Sequence, residues 1–470
     1  MIKNRFFRNV SVNTFQLIIN QLFGLAIFYA LSKGLDKNIF GQINWSLAVL
    51  LTVFGMLTFG IDQVIVKKIA AGYNRSSLFS AYLIHVLVSG TIFYCLLLLS
   101  WLLFPKFLSQ ETILLFIGIG KLAIFFSTPF KQLASGLEKF NTLMYMSIVS
   151  NIVRGTAVCI LLLMDRLTLT STLFIFIIGD LTELFVCIFL SRHLLQRPFR
   201  VQWNKRKQVL LLKESLPQTG VVFFTAIMSR FDWILVGLLI SSARLAEYSF
   251  AYKIFEISTL PLLIIAPIMI PLFTRLQKKS GNIGNLLFFL EWQVIIASLV
   301  ALLLNICWTP LIDFLTDGKY GMVNARTIFI LSASMPLLYF SNFLWTIQFA
   351  KGNLRLVFTV MAVSFGVNLI ACSILIPQYK NEGAAGAYFL TVLVQLVLYI
   401  QKKTLPLPTT RWYILFLWPV TAGMAGFISC RFTTGLAVRI SVALFVYLGL
   451  VFFSRQLRVK DWKTLQSLYQ

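Results

Sequence analysis

The chain has 470 residues, of which 58% are hydrophobic and only 12% are charged, and its mean hydropathy is +0.84. A soluble protein of this length has about a quarter charged residues, so the composition excludes a soluble globular protein and indicates a polytopic membrane protein. A net charge of +25 would suggest nucleic-acid binding in a soluble protein. Here the basic residues lie between apolar segments, as in loops that face anionic lipid headgroups, so no nucleic-acid partner is expected.

Fourteen apolar segments are long enough to cross the hydrocarbon core, which takes about 20 helical residues. They lie near 11–32, 40–61, 78–104, 112–134, 142–164, 168–191, 216–240, 249–274, 285–312, 326–350, 356–377, 383–401, 411–430 and 435–454. The first is the most polar. The predicted fold is therefore all-α, with about 14 transmembrane helices.

The basic residues of the loops predict the orientation. With the N-terminus inside, and with residues up to three positions inside a span end counted with the adjoining loop, the inner segments hold 27 of the 41 Lys and Arg residues and the outer loops hold 9. Cytoplasmic loops carry such an excess of positive charge. Both termini are therefore predicted to be cytoplasmic.

A weak internal repeat predicts two bundles. "LASGLEKF" follows the fourth span and "FAKGNLRL" follows the tenth, 216 positions later. Same-direction repeats suggest two bundles related by an axis along the membrane normal, with the substrate site between them. The predicted organisation is a six-helix lobe at 1–191, a basic linker at 192–215, a second six-helix lobe at 216–401, and two added helices with a basic tail at 402–470.

Charged residues within the spans are the candidate functional residues. A charge at the bilayer centre costs about 2.5–3.5 kcal/mol even on insertion scales, and transporters keep such residues for the substrate or ion pathway. The basic ones, predicted to form a cationic site for a phosphate or diphosphate, are Lys121, Arg154, Arg230 and Lys253. The acidic ones, predicted to bind a coupling ion or act in gating, are Asp180, Glu183, Asp232 and Glu256. The alternative for each is an internal salt bridge.

Spacing restricts which of these residues can meet. On a continuous helix Arg230 and Asp232 point about 200° apart, whereas Lys253 and Glu256 share a face. The short loop between spans seven and eight makes these helices antiparallel neighbours. This predicts a cross-helix charge network in the outer half of the second lobe.

Polar residues without charge are the candidates for contacts with a sugar. They are Asn20, Gln21 and Asn151, and the alternative for each is an interhelical hydrogen bond. No His and Cys cluster has metal-ligand spacing, and no Gly-rich phosphate loop is present. We expect no enzyme activity, no metal and no cofactor, apart from coupling to H⁺ or Na⁺.

Several stretches resemble the Wzx-type polysaccharide and O-antigen repeat-unit flippases, of the multidrug/oligosaccharidyl-lipid/polysaccharide (MOP) exporter superfamily. The matching stretches are "SKGLDKNIFGQIN", "SGLEKF", Ser215-Leu216-Pro217, Asp232, Glu247-Tyr248, Ala251, Pro271, Arg275 and "ILIPQYKNEGAAGAYF" (Ile374 to Phe389). The resemblance implies a V-shaped pair of six-helix lobes, alternating access, and a groove for a lipid tail beside the last two spans. It also implies an undecaprenyl-diphosphate-linked oligosaccharide as cargo, carried from the inner to the outer leaflet of the bacterial cytoplasmic membrane. Asp232 is the one charged intramembrane residue that the resemblance places.

A drug/cation antiporter and a glycan polymerase or ligase are the two alternative functions. A drug/cation antiporter of the same superfamily has an acidic cavity and usually twelve spans, which argues against it here. A glycan polymerase or ligase carries a large outer loop, whereas the outer loops here are short. We expect a monomeric flippase in contact with membrane lipids and with a polysaccharide polymerase as a possible partner, driven by an ion gradient or the membrane potential.

Overall fold

The computed structural model describes residues 2–103, 111–192, 194, 203–262, 283–402, 414–432 and 435–453, and this part of the chain contains helices and connections but no strand. The second half of predicted span eight, with Pro271 and Arg275, lies outside the described residues. So do the middle of the predicted linker and the start of span thirteen.

The helices of the first half are α1 (Ile2–Gly34), α2 (Lys37–Leu57), α3 (Ile61–Ala70), α4 (Arg75–Leu103), α5 (Glu111–Gly136), α6 (Phe140–Leu163) and α7 (Leu169–Ser191). Those that follow are α8 (Lys205–Met228), α9 (Phe231–Leu239), α10 (Ser242–Ser258), α11 (Ile283–Thr316), α12 (Ala325–Ala333), α13 (Met335–Ala350), α14 (Leu354–Gln401), α15 (Ile414–Phe432) and α16 (Leu436–Phe453). The predicted all-α fold is confirmed.

The described part of the chain does not confirm the predicted number of fourteen spans. Ten helices of the described part are long and apolar enough to cross a membrane, or eleven if the bent pair α8 and α9 is one span. One of the ten runs over 47 residues, Arg355–Gln401, which at 1.5 Å per residue is about 70 Å, more than twice the hydrocarbon thickness. This helix is kinked at Lys380 (φ 52°, ψ −125°), between predicted spans eleven and twelve, so its length and its kink agree with the two crossings predicted there.

Predicted span seven is not one straight helix. The helix is interrupted at Ser229 and Arg230, between α8 and α9, and the direction of the chain changes by 43° there. Arg230 leaves the helical region (φ −146°, ψ 14°) and precedes the first turn of α9. The continuous helix on which the predicted angle between Arg230 and Asp232 depended is therefore not present.

The chain divides into two compact units. The first comprises Met1–Lys253 and Cys372–Ala384, and the second comprises Ile254–Ala371 and Ala385–Gln470. Helices α8, α9 and most of α10 thus belong to the first unit, where they pack on α2, α3 and α4. The division into two six-helix lobes and two added helices stays a prediction.

Within the first unit, α2 packs very closely on α9 and α10. A Cβ atom at Gly41 would lie 1.8 Å from the main-chain oxygen of Ser242, and one at Gly237 would lie 2.4 Å from Cδ1 of Trp45. Both glycines are thus required by close helix approach, as small residues are at membrane helix interfaces. The buried Asn44 amide donates to Ser249 Oγ at 3.0 Å across the same contact.

At the opposite end of α2, the connection to α3 packs on α8. Phe59 and Gly60 both have left-handed backbone conformations (φ 50° and 69°), and they turn the chain from α2 into α3. Thr219 donates its hydroxyl to the Phe59 carbonyl at 2.9 Å, and Lys68 forms an ion pair with Glu214. Helix α2 and its extension are therefore held to α8–α10 at both ends.

The second unit has a hydrophobic core formed by α11, α13, α14, α15 and α16. Its large fully buried side chains include Trp418, Tyr399 and Tyr447. The Tyr447 hydroxyl donates to the main-chain carbonyl of Ile295 at 2.9 Å, so α16 is fixed to α11 by a polar bond inside an apolar core. Helices α15 and α16, which lie in the predicted added segment, thus belong to the packed body of this unit.

We expect Gly41→Ala to destabilise the first unit by about 1–3 kcal/mol, because the new methyl group meets main-chain atoms that cannot rotate away. Thermal unfolding in detergent, followed by tryptophan fluorescence, would show a lower melting temperature. Gly24→Ala is the matched control, since a Cβ there has nothing within 4 Å. Equal melting temperatures for the two variants would contradict the prediction.

Candidate functional site

Helices α5, α6 and α7 bring charged side chains of the first unit into one buried network. Asp180, on α7, has no solvent exposure. Its Oδ2 accepts a hydrogen bond from Lys121 Nζ at 2.7 Å, and its Oδ1 lies 2.9 Å from Arg154 Nη1 as an ion pair. One carboxylate thus pairs with a cation from each of two neighbouring helices.

A second carboxylate lies one turn further along α7. Glu183 is 3% exposed and accepts hydrogen bonds from Lys131 of α5 and from the Ser150 hydroxyl of α6. The network therefore contains three cations and two carboxylates. With all five groups ionised, it carries one positive charge in excess.

Polar residues extend this network towards α1. Arg154 Nη2 donates to Asn151 Oδ1 at 2.9 Å, and the Asn151 amide donates to Asn20 Oδ1 at 2.9 Å. Two of the three predicted sugar-contact candidates thus take part in interhelical hydrogen bonds connected to Arg154. Whether they also contact a sugar stays a prediction.

Two glycines and an aromatic ring make room for the network. A Cβ at Gly120 would lie 2.7 Å from Asp180 Oδ2, and a Cβ at Gly179 would lie 2.5 Å from Arg154 Cγ. The Phe176 ring is 5.6 Å from both Lys121 Nζ and the Arg154 guanidinium carbon. Cations at this distance are attracted to the negative face of a ring.

Arg230 lies at the helix break and contacts aromatic rings. Its guanidinium carbon is 4.6 Å from the centre of the Trp233 ring and 5.5 Å from that of Tyr252. Its Nη1 donates to the Ser229 carbonyl at 3.2 Å. Arg230 thus binds a main-chain carbonyl at the helix interruption and makes cation–π contacts with two aromatic rings.

Asp232 is buried in the first turn of α9. Its Oδ2 accepts a hydrogen bond from the Tyr248 hydroxyl at 2.6 Å, and its Oδ1 accepts one from the main-chain N–H of Trp233 at 2.9 Å. Each carboxylate oxygen therefore has a donor. Tyr248 belongs to α10, so this bond connects the two helices that the sequence predicted to be neighbours.

The predicted charge network between spans seven and eight is only partly described. Lys253 Nζ lies 3.5 Å from Gln21 Oε1, which brings a predicted cation to a predicted polar residue of α1. Glu256 belongs to the second unit, where its main-chain oxygen accepts a hydrogen bond from the Thr259 hydroxyl. A side-chain link between Lys253 and Glu256 stays a prediction.

A charged contact at the start of α2 was not predicted. Glu247 of α10 is 7% exposed and pairs with Lys37 Nζ at 2.8 Å and with Arg244 Nη1 at 3.0 Å. It lies beside the close approach of Gly41 to Ser242. The sequence signal was available, because "EY" was among the matching residues, but it suggested no charge partner.

The second unit contains an apolar groove of about 370 Å³, a volume typical of small-molecule sites. It lies between α11, α12, α13 and α15. Small or flat residues of α15 open one wall, namely Pro419, Ala422, Gly423 and Gly426, and the other walls include Leu302, Phe329 and Pro336. Its few polar groups include Asn305, whose amide donates to Ser332 Oγ at 2.7 Å.

Metal binding has no visible site in the described part of the chain, since it contains no group of three His, Cys, Asp or Glu side chains that could hold a metal ion. The ionisable clusters described above are all built from cation–carboxylate contacts or from the Asp232–Tyr248 pair. They are suited to binding a charged ligand or a small ion through side chains.

We expect Asp180→Asn to lower the free energy of unfolding by about 3–5 kcal/mol, because it leaves Lys121 and Arg154 buried without their shared counter-charge. Thermal unfolding of the purified protein measures the loss. Adding Lys121→Met should restore part of it by removing one uncompensated cation. Asp165→Asn, at an exposed position with φ 52°, is the matched control and should have no effect, since Asn tolerates this conformation. An unchanged melting temperature for Asp180→Asn would contradict the prediction.

Comparison with known structures identifies the fold. The lipid II flippase MurJ in an inward closed conformation has a TM-score of 0.75 and 14% identity, over 94% of this chain and 99% of that one. An outward-facing multidrug resistance MATE family transporter of the MOP superfamily has a TM-score of 0.61 and 14% identity, over 92% and 97% of the two chains. A Vibrio cholerae MATE transporter VcmN mutant has a TM-score of 0.59 and 13% identity, over 85% and 96%.

The fold is therefore that of MOP-superfamily transporters, as the resemblance implied, and together with the apolar helices it indicates a multi-pass membrane protein. No curated protein sequence matches the chain. The family model described as "polysaccharide biosynthesis protein" matches residues 6–277, which is more than half of the chain. The chain is thus a member of the polysaccharide biosynthesis protein family.

Proposed function

We propose that the protein is a flippase that moves an undecaprenyl-diphosphate-linked oligosaccharide, a surface polysaccharide repeat unit, from the inner to the outer leaflet of the cytoplasmic membrane by alternating access. The family supports a role in polysaccharide biosynthesis. The fold, which is similar to that of a lipid II flippase, supports transport of a lipid-linked substrate.

The observation that carries the proposal is the excess of cations in the buried network. Lys121, Lys131 and Arg154 face only two carboxylates, Asp180 and Glu183. An isolated structural ion pair is neutral, whereas an anionic headgroup such as a diphosphate requires positive charge in a low-dielectric site. Arg230 and Lys253 of the same unit supply further positive charge for this ligand.

The energy source follows from the charge of the cargo. A diphosphate carries about two negative charges. When the inside of the membrane is negative, moving it outward lowers its electrical energy by about 2.3 kcal/mol per charge per 100 mV. The membrane potential can therefore contribute without ion exchange. Asp180, Glu183, Asp232 and Glu256 are the groups that we propose for coupling to H⁺ or Na⁺ or for gating.

The groove of the second unit supports the lipid part of the cargo. Its walls are mostly apolar, and the small residues of α15 leave space that an isoprenoid chain can fill. Burial of a prenyl tail there would supply binding free energy of about 25 cal/mol per Å² of apolar surface. We propose that this groove receives the polyprenyl tail of the lipid carrier.

A drug/cation antiporter is the alternative, and the similarity to multidrug resistance MATE transporters favours it. An organic cation would be repelled by a network with an excess positive charge, and the aromatic rings beside Arg230 already hold a cation. We therefore place the flippase first. Transport of an anionic lipid-linked substrate, compared with a fluorescent organic cation, distinguishes the two functions.

The remaining features of the proposal concern the cellular setting. We infer cytoplasmic N- and C-termini from the distribution of basic residues, and a location in the bacterial cytoplasmic membrane from the family. We propose that the protein acts as a monomer among membrane lipids and delivers its cargo to a polysaccharide polymerase.

The test is transport of a labelled undecaprenyl-diphosphate oligosaccharide in proteoliposomes. We expect Arg230→Ala to reduce the initial rate at least tenfold and Arg230→Lys to keep a third or more of it, because a lysine retains the positive charge that phosphate needs (an effect of order 1–2 kcal/mol). Arg206→Ala, at an exposed position, controls for the general loss of an arginine. Wild-type protein that carries an organic cation and not the anionic lipid would overturn the proposal.

The groove has a test of its own. A Cβ at Gly423 has nothing within 4 Å, so we expect Gly423→Leu to fold normally and to fill the groove. It should slow transport of the undecaprenyl-linked substrate at least fivefold. Gly449→Leu is the matched control, since that position is also open and is not part of the groove, and it should leave the rate unchanged. An unchanged rate for Gly423→Leu, or equal slowing by both variants, would count against a prenyl-binding role.

A further inference from the structure

The charges of the buried network form a row that runs along α5 to α7. In order they are Lys131, Glu183, Arg154, Asp180 and Lys121. Ser150 connects its middle, because its hydroxyl donates to Glu183 and accepts from Arg154 Nη2 at 3.2 Å. Lys131 and Lys121 are ten residues apart on α5, so the row spans about 15 Å along the helix axis.

Arg154 is largely committed to protein contacts. Its Nε donates to the Ser150 carbonyl at 3.2 Å, and its Nη2 donates to Ser150 Oγ and Asn151 Oδ1. Its Nη1 pairs with Asp180. A guanidinium has five N–H donors, so little of its hydrogen-bonding capacity remains for a ligand. Its charge still contributes to the electrostatic potential of the row.

Lys131, in contrast to Arg154, uses little of its hydrogen-bonding capacity within the protein. An ammonium group has three donors, and among the described residues Lys131 hydrogen-bonds to Glu183 alone. Its side chain is 21% exposed, compared with 8% for Lys121. A lysine inside a span faces a water-filled cavity or the protein interior and not lipid, so we expect the exposed part of the Lys131 side chain to face water.

The position of Lys131 fits the start of a transport path. It lies five residues before the end of α5 at Gly136, about 8 Å along the axis. In the predicted topology this is the cytoplasmic end of the helix. Lys121 lies further from that end, beyond Glu183 and Arg154. The most accessible cation of the row is therefore also the one nearest to the side where a lipid-linked precursor would be loaded.

We propose that Lys131 is the first diphosphate-binding residue of the transport path. It keeps Glu183 as its counter-ion in the empty protein and uses its two remaining donors for phosphate oxygens. This inference rests on the proposed function, because it assumes an anionic diphosphate cargo. It adds a residue that the sequence did not suggest and gives Glu183 a definite role, as a carboxylate that restrains Lys131 and opposes anion binding.

The test measures binding of inorganic pyrophosphate and of farnesyl diphosphate to the full-length protein in nanodiscs, by titration calorimetry. We expect Lys131→Gln to weaken both about tenfold or more and Lys131→Arg to stay within about threefold of wild type. Glu183→Gln should strengthen binding about tenfold, because it removes a negative charge next to the ligand. Lys207→Gln, at an exposed lysine that bonds to Ser77, is the control and should have no effect.

The outcomes separate this inference from the proposed function. If wild type binds the two probes and Lys131→Gln binds them equally well, Lys131 is a structural ion-pair residue and the inference is overturned, whereas the diphosphate cargo stands. Weaker binding by Glu183→Gln would also overturn it, since a purely structural pair loses order when either partner is removed. If wild type binds neither probe, the diphosphate cargo and the inference both fail. Melting temperatures identify any variant that does not fold, and if Lys131→Gln is one of them, Glu183→Gln carries the comparison.

Discussion

A charge inside the hydrocarbon core needs a counter-charge within the protein, and the packing of α5, α6 and α7 follows from this requirement. Asp180 can pair with both Lys121 and Arg154 only if α5 and α6 both approach α7 closely. Gly120 and Gly179 permit that approach, because a side chain at position 120 would meet the Asp180 carboxylate and one at position 179 would meet the aliphatic part of Arg154. The network thus places a buried positive charge and also determines which helices are neighbours.

The interruption of the helix between α8 and α9 also accommodates charged side chains. At Ser229–Arg230 the chain leaves the helical conformation, and the Ser229 carbonyl accepts a hydrogen bond from the Arg230 side chain. Helix α9 begins at the next residue, and a main-chain N–H of its first turn donates to Asp232. Irregular backbone at membrane depth is tolerated where protein or a water-filled cavity surrounds it. The two residues, two positions apart, thus have different direct partners, aromatic rings for Arg230 and a hydroxyl and a main-chain N–H for Asp232.

Much of this arrangement was accessible from the sequence. Apolar segment lengths predicted the helices, and the rare charges within them identified Lys121, Arg154 and Asp180. The break before α9 was missed because residues 229–230 contain neither Pro nor Gly, the usual causes of a kink. Lys131 was missed because it lies three residues from the predicted end of span four, where the positive-inside pattern already accounts for a lysine. Tyr248 as the partner of Asp232 depends on how α9 and α10 turn against each other, which periodicity does not reveal.

The contact of Gly237 with Trp45 has a consequence for how the sequence can change. The Trp45 ring occupies the space where a side chain at position 237 would begin. The Trp45 indole N–H donates a hydrogen bond to the Ile234 carbonyl at 3.3 Å, which fixes the ring in this place. Residues in such contact have non-additive effects on stability. A larger residue at 237 therefore requires a smaller one at 45 and a shift of Leu245, so we expect positions 45 and 237, 192 residues apart in the chain, to vary together.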